Sequence, residues 1–381
     1  MTMFQAPLKL LAAAVIVCGL ASSTARAVPA NEGKHVDVVL CLDISGSMQD
    51  LVASARVKLW DIVNDLAKVK PTPNLRVGLY SYGNPRYSRE AGWVRKEIDL
   101  TTDLDEVYKK LNALTIYGGD EYVARVCKTA LTEQKWSDQK DALRLIFVCG
   151  NEPVDQDKEV NLADVAKLAK EKGVIVNTIY CNWGNAQPGE APGWAAFAKD
   201  AGGQSAVIEH DKRVAQIQTP FDKELSELST KLNGTYIAYG RGGVDKKANQ
   251  EAQDRNASLA GAPASATRAM AKGGALYRNS AWCIVSKVIE DPNFDITKIP
   301  DEDLPEELRK LKPAERVEFV KKKVEERKKI QGEISEVSGK RTKYLAEEMK
   351  KHASVAEKEL DAALKKMIRD QGAEKGIKIP D

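Results

Sequence analysis

The sequence predicts an α/β protein, a doubly wound and mostly parallel sheet flanked by helices, with a helical C-terminal extension. Three observations lead there. The runs 36–42 (VDVVLCL) and 143–149 (LRLIFVC) are apolar but for one residue each and carry β-branched side chains, as strands buried on both faces do. Segments with apolar residues three and four apart alternate with such runs, which is the order of a parallel sheet with helical crossovers. Beyond residue 312 the chain becomes highly charged, while its apolar residues keep helical spacing.

Taken in order, residues 1–27 read as a signal peptide. Lys9 supplies a positive start, and 10–21 (LLAAAVIVCGLA) is an apolar run of 12 residues, too short to span a bilayer. Ala25-Arg26-Ala27 is a small-x-small cleavage site. The expected location is therefore exported, periplasmic or extracellular, with no transmembrane segment in the mature chain.

The sheet domain is expected over 28–233. Strand 36–42 runs into a polar turn (43–48, DISGSM) and then a helix over 51–69, where Leu59, Ile62, Val63 and Leu66 share a face and Pro71 follows the end. Further strands are expected at 75–82, 143–149, 174–181 and 205–209. The run 93–100 alternates in character and belongs at an edge. Helices are expected at 103–114, 121–131, 162–172 (stopped by Gly173) and 194–201.

Residues 234–312 read as a linker and docking segment. Within it 240–274 is rich in Gly, Ala, Asn, Gln and Ser and offers little to bury, whereas 276–289 is apolar enough to dock on the sheet domain. Residues 313–381 read as a charged amphipathic tail, a long helix or a helical hairpin of coiled-coil character. Val320, Val324, Ile330, Ile334 and Val337 mark its stripe. Its 18 basic and 14 acidic residues are interleaved, the pattern of a solvated helix face. The stripe needs a partner, either the sheet domain or a second copy of the chain.

Composition excludes several classes of function. Without the first 27 residues, 56 basic residues face 55 acidic ones, so no basic surface for nucleic acid is expected. Three histidines cannot build a His-rich metal cluster. Five cysteines remain after the signal: Cys41, Cys127, Cys149, Cys181 and Cys283. They lack any C-x-x-C spacing, and read either as buried small hydrophobes or as one or two disulfides. Cys149 and Cys181, at the ends of neighbouring strands, are the pair to test.

The chemistry concentrates where the first strand ends. Asp43, Ser45 and Ser47 stand at alternate positions, one carboxylate and two hydroxyls that can face one point at the carboxyl edge of the sheet, where open parallel sheets bind ligands. These are hard oxygen donors, suited to Mg²⁺, Mn²⁺ or Ca²⁺. The alternative is a cap on the following helix by Asp43 or Ser45.

The strand VVLCLD followed by Asp43-x-Ser45-x-Ser47 resembles the von Willebrand factor A domain, whose metal-ion-dependent adhesion site has the pattern Asp-x-Ser-x-Ser. The resemblance covers about residues 36–233. With its Gly119-Asp120-Glu121-Tyr122 and Gly150-Asn151-Glu152-Pro153 stretches and its charged tail, the chain also resembles exported bacterial proteins that carry this domain, a likeness that implies no activity. The family resemblance implies a Rossmann-like sheet and a fourth metal ligand, usually Thr in a Gly-Gly-Thr-like loop. Asp120 occupies that slot here. A usual fifth Asp is absent, since the corresponding stretch reads Cys149-Gly150-Asn151-Glu152.

The metal set implied by motif and resemblance is thus Asp43, Ser45, Ser47 and Asp120. Whether Thr115, Glu121, Asn151 or Glu152 also serve the metal stays open at this point, and Asp120 and Glu121 could instead complement a helix N-terminus. The resemblance further implies a protein ligand whose acidic side chain completes the coordination, and no catalysis. Two other classes are carried beside it: a metal-free scaffold that assembles through the tail, and a hydrolase using the same metal.

Overall fold

The computed structural model describes residues 33–46, 48–182, 187, 189–209, 217–352 and 355–379. The segment read as a signal peptide lies outside the described residues. Strand β1 (His35–Asp43) is followed by helix α1 (Gln49–Ala67), β2 (Asn74–Tyr82), β3 (Arg95–Thr101), α2 (Leu104–Ala113) and α3 (Val123–Glu133). Then come β4 (Leu143–Gly150), α4 (Leu162–Lys172), β5 (Ile175–Asn182), α5 (Glu190–Asp200), β6 (Ser205–Glu209) and α6 (Asp222–Asn233). The C-terminal part adds α7 (Gly243–Leu259), α8 (Ala262–Gly273), α9 (Ile284–Glu290), a single turn α10 (Glu306–Arg309), α11 (Pro313–His352) and α12 (Val355–Glu374).

The six strands lie in the order β3-β2-β1-β4-β5-β6, with β3 antiparallel to β2 and every other pair parallel. Side chains alternate across β1 as the period of two requires. Val36, Val38, Leu40 and Leu42 face a core closed by Trp60 and Val63 of α1 and Val107 and Leu111 of α2. Val39 and Cys41 face the opposite core, closed by Val126 of α3, Val165 of α4, and Trp194 and Phe197 of α5. Burial on both sides explains why β1 and β4 read as nearly unbroken apolar runs, and the charged residue within each run is buried and paired, Asp37 with Arg76 at 2.8 Å and Arg144 with the Ser137 carbonyl at 2.7 Å. Local signals bound α4, and its stop at Gly173 is the expected one. Asn161 caps α4 by accepting from the Ala163 N–H at 2.7 Å, and Gly173, at φ 62°, closes it.

Several boundaries move, among them the start of α3, which falls at Val123 and leaves Glu121 outside the helix. The edge strand starts at Arg95, because Gly92 (φ 65°) and Trp93 (φ 58°) make a left-handed turn before it. Helix α5 starts at Glu190 and takes Pro192 into its first turn, where no intrahelical N–H is needed.

The stretch 240–274, read as linker, is instead helical and packed. It lacks large apolar residues, and charge pairing does much of the work. Arg268 and Lys272 of α8 are buried and meet Asp254 of α7 at 2.6 and 2.7 Å. Arg268 also reaches Asp105 of α2 at 2.9 Å, and the Tyr277 hydroxyl donates to Asp105 at 2.5 Å. Gly273 lets α8 approach α11 closely: a Cβ there would stand 2.6 Å from Cγ2 of Ile334.

The tail docks on its own chain. Val320, Ile330, Ile334 and Val337 of α11 bury against Leu225, Leu228 and Leu232 of α6 and Ile284 and Val285 of α9. The expected stripe is there, but its charges are not all solvated. Arg316, Arg327 and Arg341 are buried on the same face. Arg327 donates to the Thr235 carbonyl and hydroxyl (2.7 and 2.8 Å) and to the Ser286 hydroxyl (2.7 Å), and Arg341 pairs with Asp222 at 2.8 Å. Helix α12 returns to the sheet, where Gln371 and Asn177 of β5 exchange amide hydrogen bonds at 2.9 and 2.7 Å. Met367, Ile368 and Ile377 complete the first core.

All five described cysteines are buried and free. Cys149 lies opposite Ile179 in the ladder, two residues from Cys181, and the two thiols are not joined.

Candidate functional site

The carboxyl ends of β1, β2 and β4 converge on a buried polar cluster. Asp43 is the last residue of β1, and its Oδ1 accepts the Ser45 N–H at 2.7 Å, which folds the turn back over the strand end. Ile44 holds that turn from both sides: its N–H donates to the Tyr82 carbonyl, and its carbonyl accepts the Tyr117 N–H, each at 2.9 Å. Gly83, at φ 77°, follows β2 directly against the cluster. A Cβ there would stand 2.8 Å from Asp43 Oδ1 and 3.3 Å from Cγ of Glu121, so the close approach requires glycine. The Tyr82 hydroxyl donates to the Cys149 carbonyl at 2.8 Å and ties β2 to β4 across β1.

The second carboxyl of the cluster is Glu121. It is buried, and its side chain hydrogen-bonds to Asp43 and Ser45. Burial drives the Glu121 carboxyl far above the usual carboxylate range, and the charge of Asp43 pushes it further. Burial also raises Asp43, against the hydrogen bonds from Glu121 and Ser45 that favour its charged form. Both carboxyls are thus raised, Glu121 the further, and the pair retains a proton at neutral pH.

Of the four residues read as metal ligands, the structure brings Asp43 and Ser45 together, and Ser47 lies outside the described residues. Asp120 does not share their buried cluster. It is exposed, and its carboxylate accepts from the Trp93 indole N–H at 3.3 Å and the Tyr122 hydroxyl at 3.5 Å. Its neighbour Glu121 occupies the interior instead. Of the two adjacent acids, Glu121 is buried against Asp43 and Asp120 is exposed. The signal for Glu121 was its place in the same loop, but sequence alone could not say which carboxylate turns inward.

Thr115 and Glu152 are exposed, while Asn151 is buried beside β4. The helix-cap readings do not hold. Helix α1 begins after Met48 with no side-chain cap, and α3 carries no acid in its first turn. Burial pushes the Cys149 thiol up to about 12, which keeps it protonated.

The donor set fits a divalent cation. Two carboxyls and a hydroxyl are packed together, and they tolerate each other only by retaining a proton that a cation can replace. Among the described residues no group of three or more His, Cys, Asp or Glu side chains could hold a metal, so hydroxyl oxygens must complete any set.

Residues 37–213 match the model of the von Willebrand factor type A domain, and this stretch is a domain of that family. Domains of this family generally act as interaction modules, and their metal sites take divalent cations. Proximal thread matrix protein 1 from the mussel byssus, solved with a zinc-occupied metal-ion-dependent adhesion motif, is similar at 13% identity and a TM-score of 0.37. The match covers 47% of this chain and 43% of the mussel chain, less than half its length. The VWA domain of SpRpn10 is similar at 16% identity and a TM-score of 0.34, over 46% of this chain and 87% of that domain. No curated protein matches the chain by sequence. Among the described residues no helix is long and apolar enough to cross a membrane.

Proposed function

We propose that this chain is an exported binding protein that captures a protein partner through a divalent metal, Mg²⁺ or else Mn²⁺ or Ca²⁺. Asp43, Ser45 and Ser47 would hold the ion, with Glu121 taking the place in the set that sequence alone gives to Asp120. The observation that carries this reading is the buried Asp43–Glu121 pair beside Ser45 at the carboxyl edge of the sheet. When bound, such an ion supplies a Lewis-acidic position that a partner's carboxylate oxygen can occupy. Glu121 would give up its proton to the solvent, and Gly83 keeps the floor of the cluster free of side chain.

A metal-free scaffold acting through the tail draws less support, because the apolar stripe of α11 is spent on α6 and α9 of the same chain. Calorimetric titration of the full chain with Mg²⁺ and Mn²⁺ tests the proposal. Binding by wild type and by Asp120→Ala, with loss in Asp43→Ala at an unchanged circular dichroism spectrum, is the expected result. Equal affinity in Asp43→Ala overturns it. A crosslinking pull-down from a bacterial envelope fraction, with and without EDTA and with Asp43→Ala as the control bait, then identifies the partner.

A further inference from the structure

Three arginines at this edge of the sheet lie over tyrosine rings. Arg95 stands 4.4 Å from the centroid of Tyr87, Arg125 5.6 Å from that of Tyr122, and Arg86 3.6 Å from that of Tyr117. Two of them are neutralised: Arg95 pairs with Glu97 at 2.7 Å, and Arg125 with Asp157 and Glu159 at 2.8 and 2.9 Å. Arg86 is exposed and has no carboxylate partner among the described residues. The acid that follows in the facing loop, Asp120, is engaged by Trp93 and Tyr122.

Both partners of the Arg86–Tyr117 stack are anchored to the metal-binding turn. The Tyr117 N–H donates to the carbonyl of Ile44, the residue between Asp43 and Ser45. The backbone of Arg86 is set by the Asn84 side chain, which accepts the Arg86 N–H at 3.0 Å, one residue after Gly83. The two loops also touch each other. A Cβ on Gly119 would stand 2.8 Å from Cδ of Pro85, and one on Gly46 would stand 3.8 Å from the Cα of Gly118. Residues 83–86 and 117–119 thus form a lip on the Asp43–Ser45–Glu121 cluster, and a guanidinium with open donors rests on it. An arginine held over a ring has less freedom to lose on binding, and its planar fork matches a carboxylate.

We propose that Arg86, positioned by Tyr117, is a second anchor for the partner, receiving a carboxylate one or a few residues away from the one that addresses the metal. The ligand is then a diacidic segment rather than a lone acidic side chain. This rests on the metal-dependent reading above, and the test separates the two.

The full chain is titrated, in saturating Mg²⁺ and in EDTA, with two synthetic Gly/Ser peptides, one carrying a single Asp and one carrying two, and binding is read by fluorescence anisotropy. Wild type binds the two-Asp peptide about five- to tenfold more tightly than the single-Asp peptide, and neither in EDTA. Arg86→Gln abolishes that preference, Arg86→Lys restores part of it, and Tyr117→Phe, which keeps the ring, retains it. Metal-dependent binding with equal affinity for both peptides overturns the role of Arg86 and leaves the metal reading standing. A preference that survives in Arg86→Gln does the same. Absence of metal-dependent binding to either peptide overturns both.

Discussion

Replacing Glu121 with glutamine tests whether the buried carboxyls share a proton. In the metal-free protein burial and the charge of Asp43 raise the Glu121 carboxyl from its ordinary value of 4.5 to above neutrality. A carboxyl whose folded value lies above its unfolded one favours the folded state at low pH, and that contribution is lost as pH rises toward the folded value. Each pH unit in that window is worth about 1.4 kcal/mol, so from about pH 4.5 to 7 the wild-type chain loses about 3 kcal/mol of stability through this one group. Glutamine has nearly the same shape, still donates to Asp43, and does not titrate. The assay is denaturant unfolding in EDTA at pH 5, 6 and 7, with the difference between the two profiles as the readout, since groups outside the Asp43–Glu121 pair contribute equally to both and glutamine keeps a donor for Asp43. The expected result is a gap that widens with pH, by about 3 kcal/mol over the window, with Glu121→Gln the more stable at pH 7. Parallel profiles would show that Glu121 ionises normally, and the donor set argued from its burial would fail with them.

Metal binding should release about one proton, from Glu121, near pH 7 and more below about pH 6, where Asp43 is protonated too, so affinity for Mn²⁺ rises by at least about tenfold per pH unit between pH 5 and 7. Calorimetry in two buffers of different ionisation enthalpy reads the release directly, and a heat independent of buffer refutes it. Arg327→Met should cost about 3 kcal/mol or more, because the Thr235 carbonyl and the Ser286 hydroxyl lose a buried donor. A shift of the unfolding midpoint measures this, and a neutral substitution would mean that water replaces the guanidinium. Alkylation of the chain from residue 28 onward in denaturant without reductant should label five thiols, against almost none in the native state, where all five are buried. A missing pair by mass would reveal a disulfide.

Much of the architecture was legible in the sequence, because its signals are local. β1 and β4 could be read from runs that are apolar but for Asp37 and Arg144, since a strand covered on both faces has no polar side to show. α4 could be read with both its ends, because Asn161 and Gly173 act on their own helix. The Asp43-x-Ser45 turn follows directly from strand and loop. What tertiary structure alone decided is wherever a charge went inside. Arg327 and Arg341 lie on the same seven-residue spacing as Val320 and Ile334, yet a charged residue in a charged tail reads as solvent-facing until Thr235, Ser286 and Asp222 are brought beneath it. Residues 240–274 looked like linker, because their burial rests on Arg268 and Lys272 meeting Asp254 and Asp105, acids from other helices. The choice between Asp120 and Glu121 belongs to the same class. Both are acids in one loop, and only the position of that loop over β1 and β2 turns Glu121 toward Asp43 and leaves Asp120 with Trp93. Periodicity and capping act within a few residues and can be read along the chain. The partner of a buried charge comes from a distant part of the chain, and only folding brings the two together.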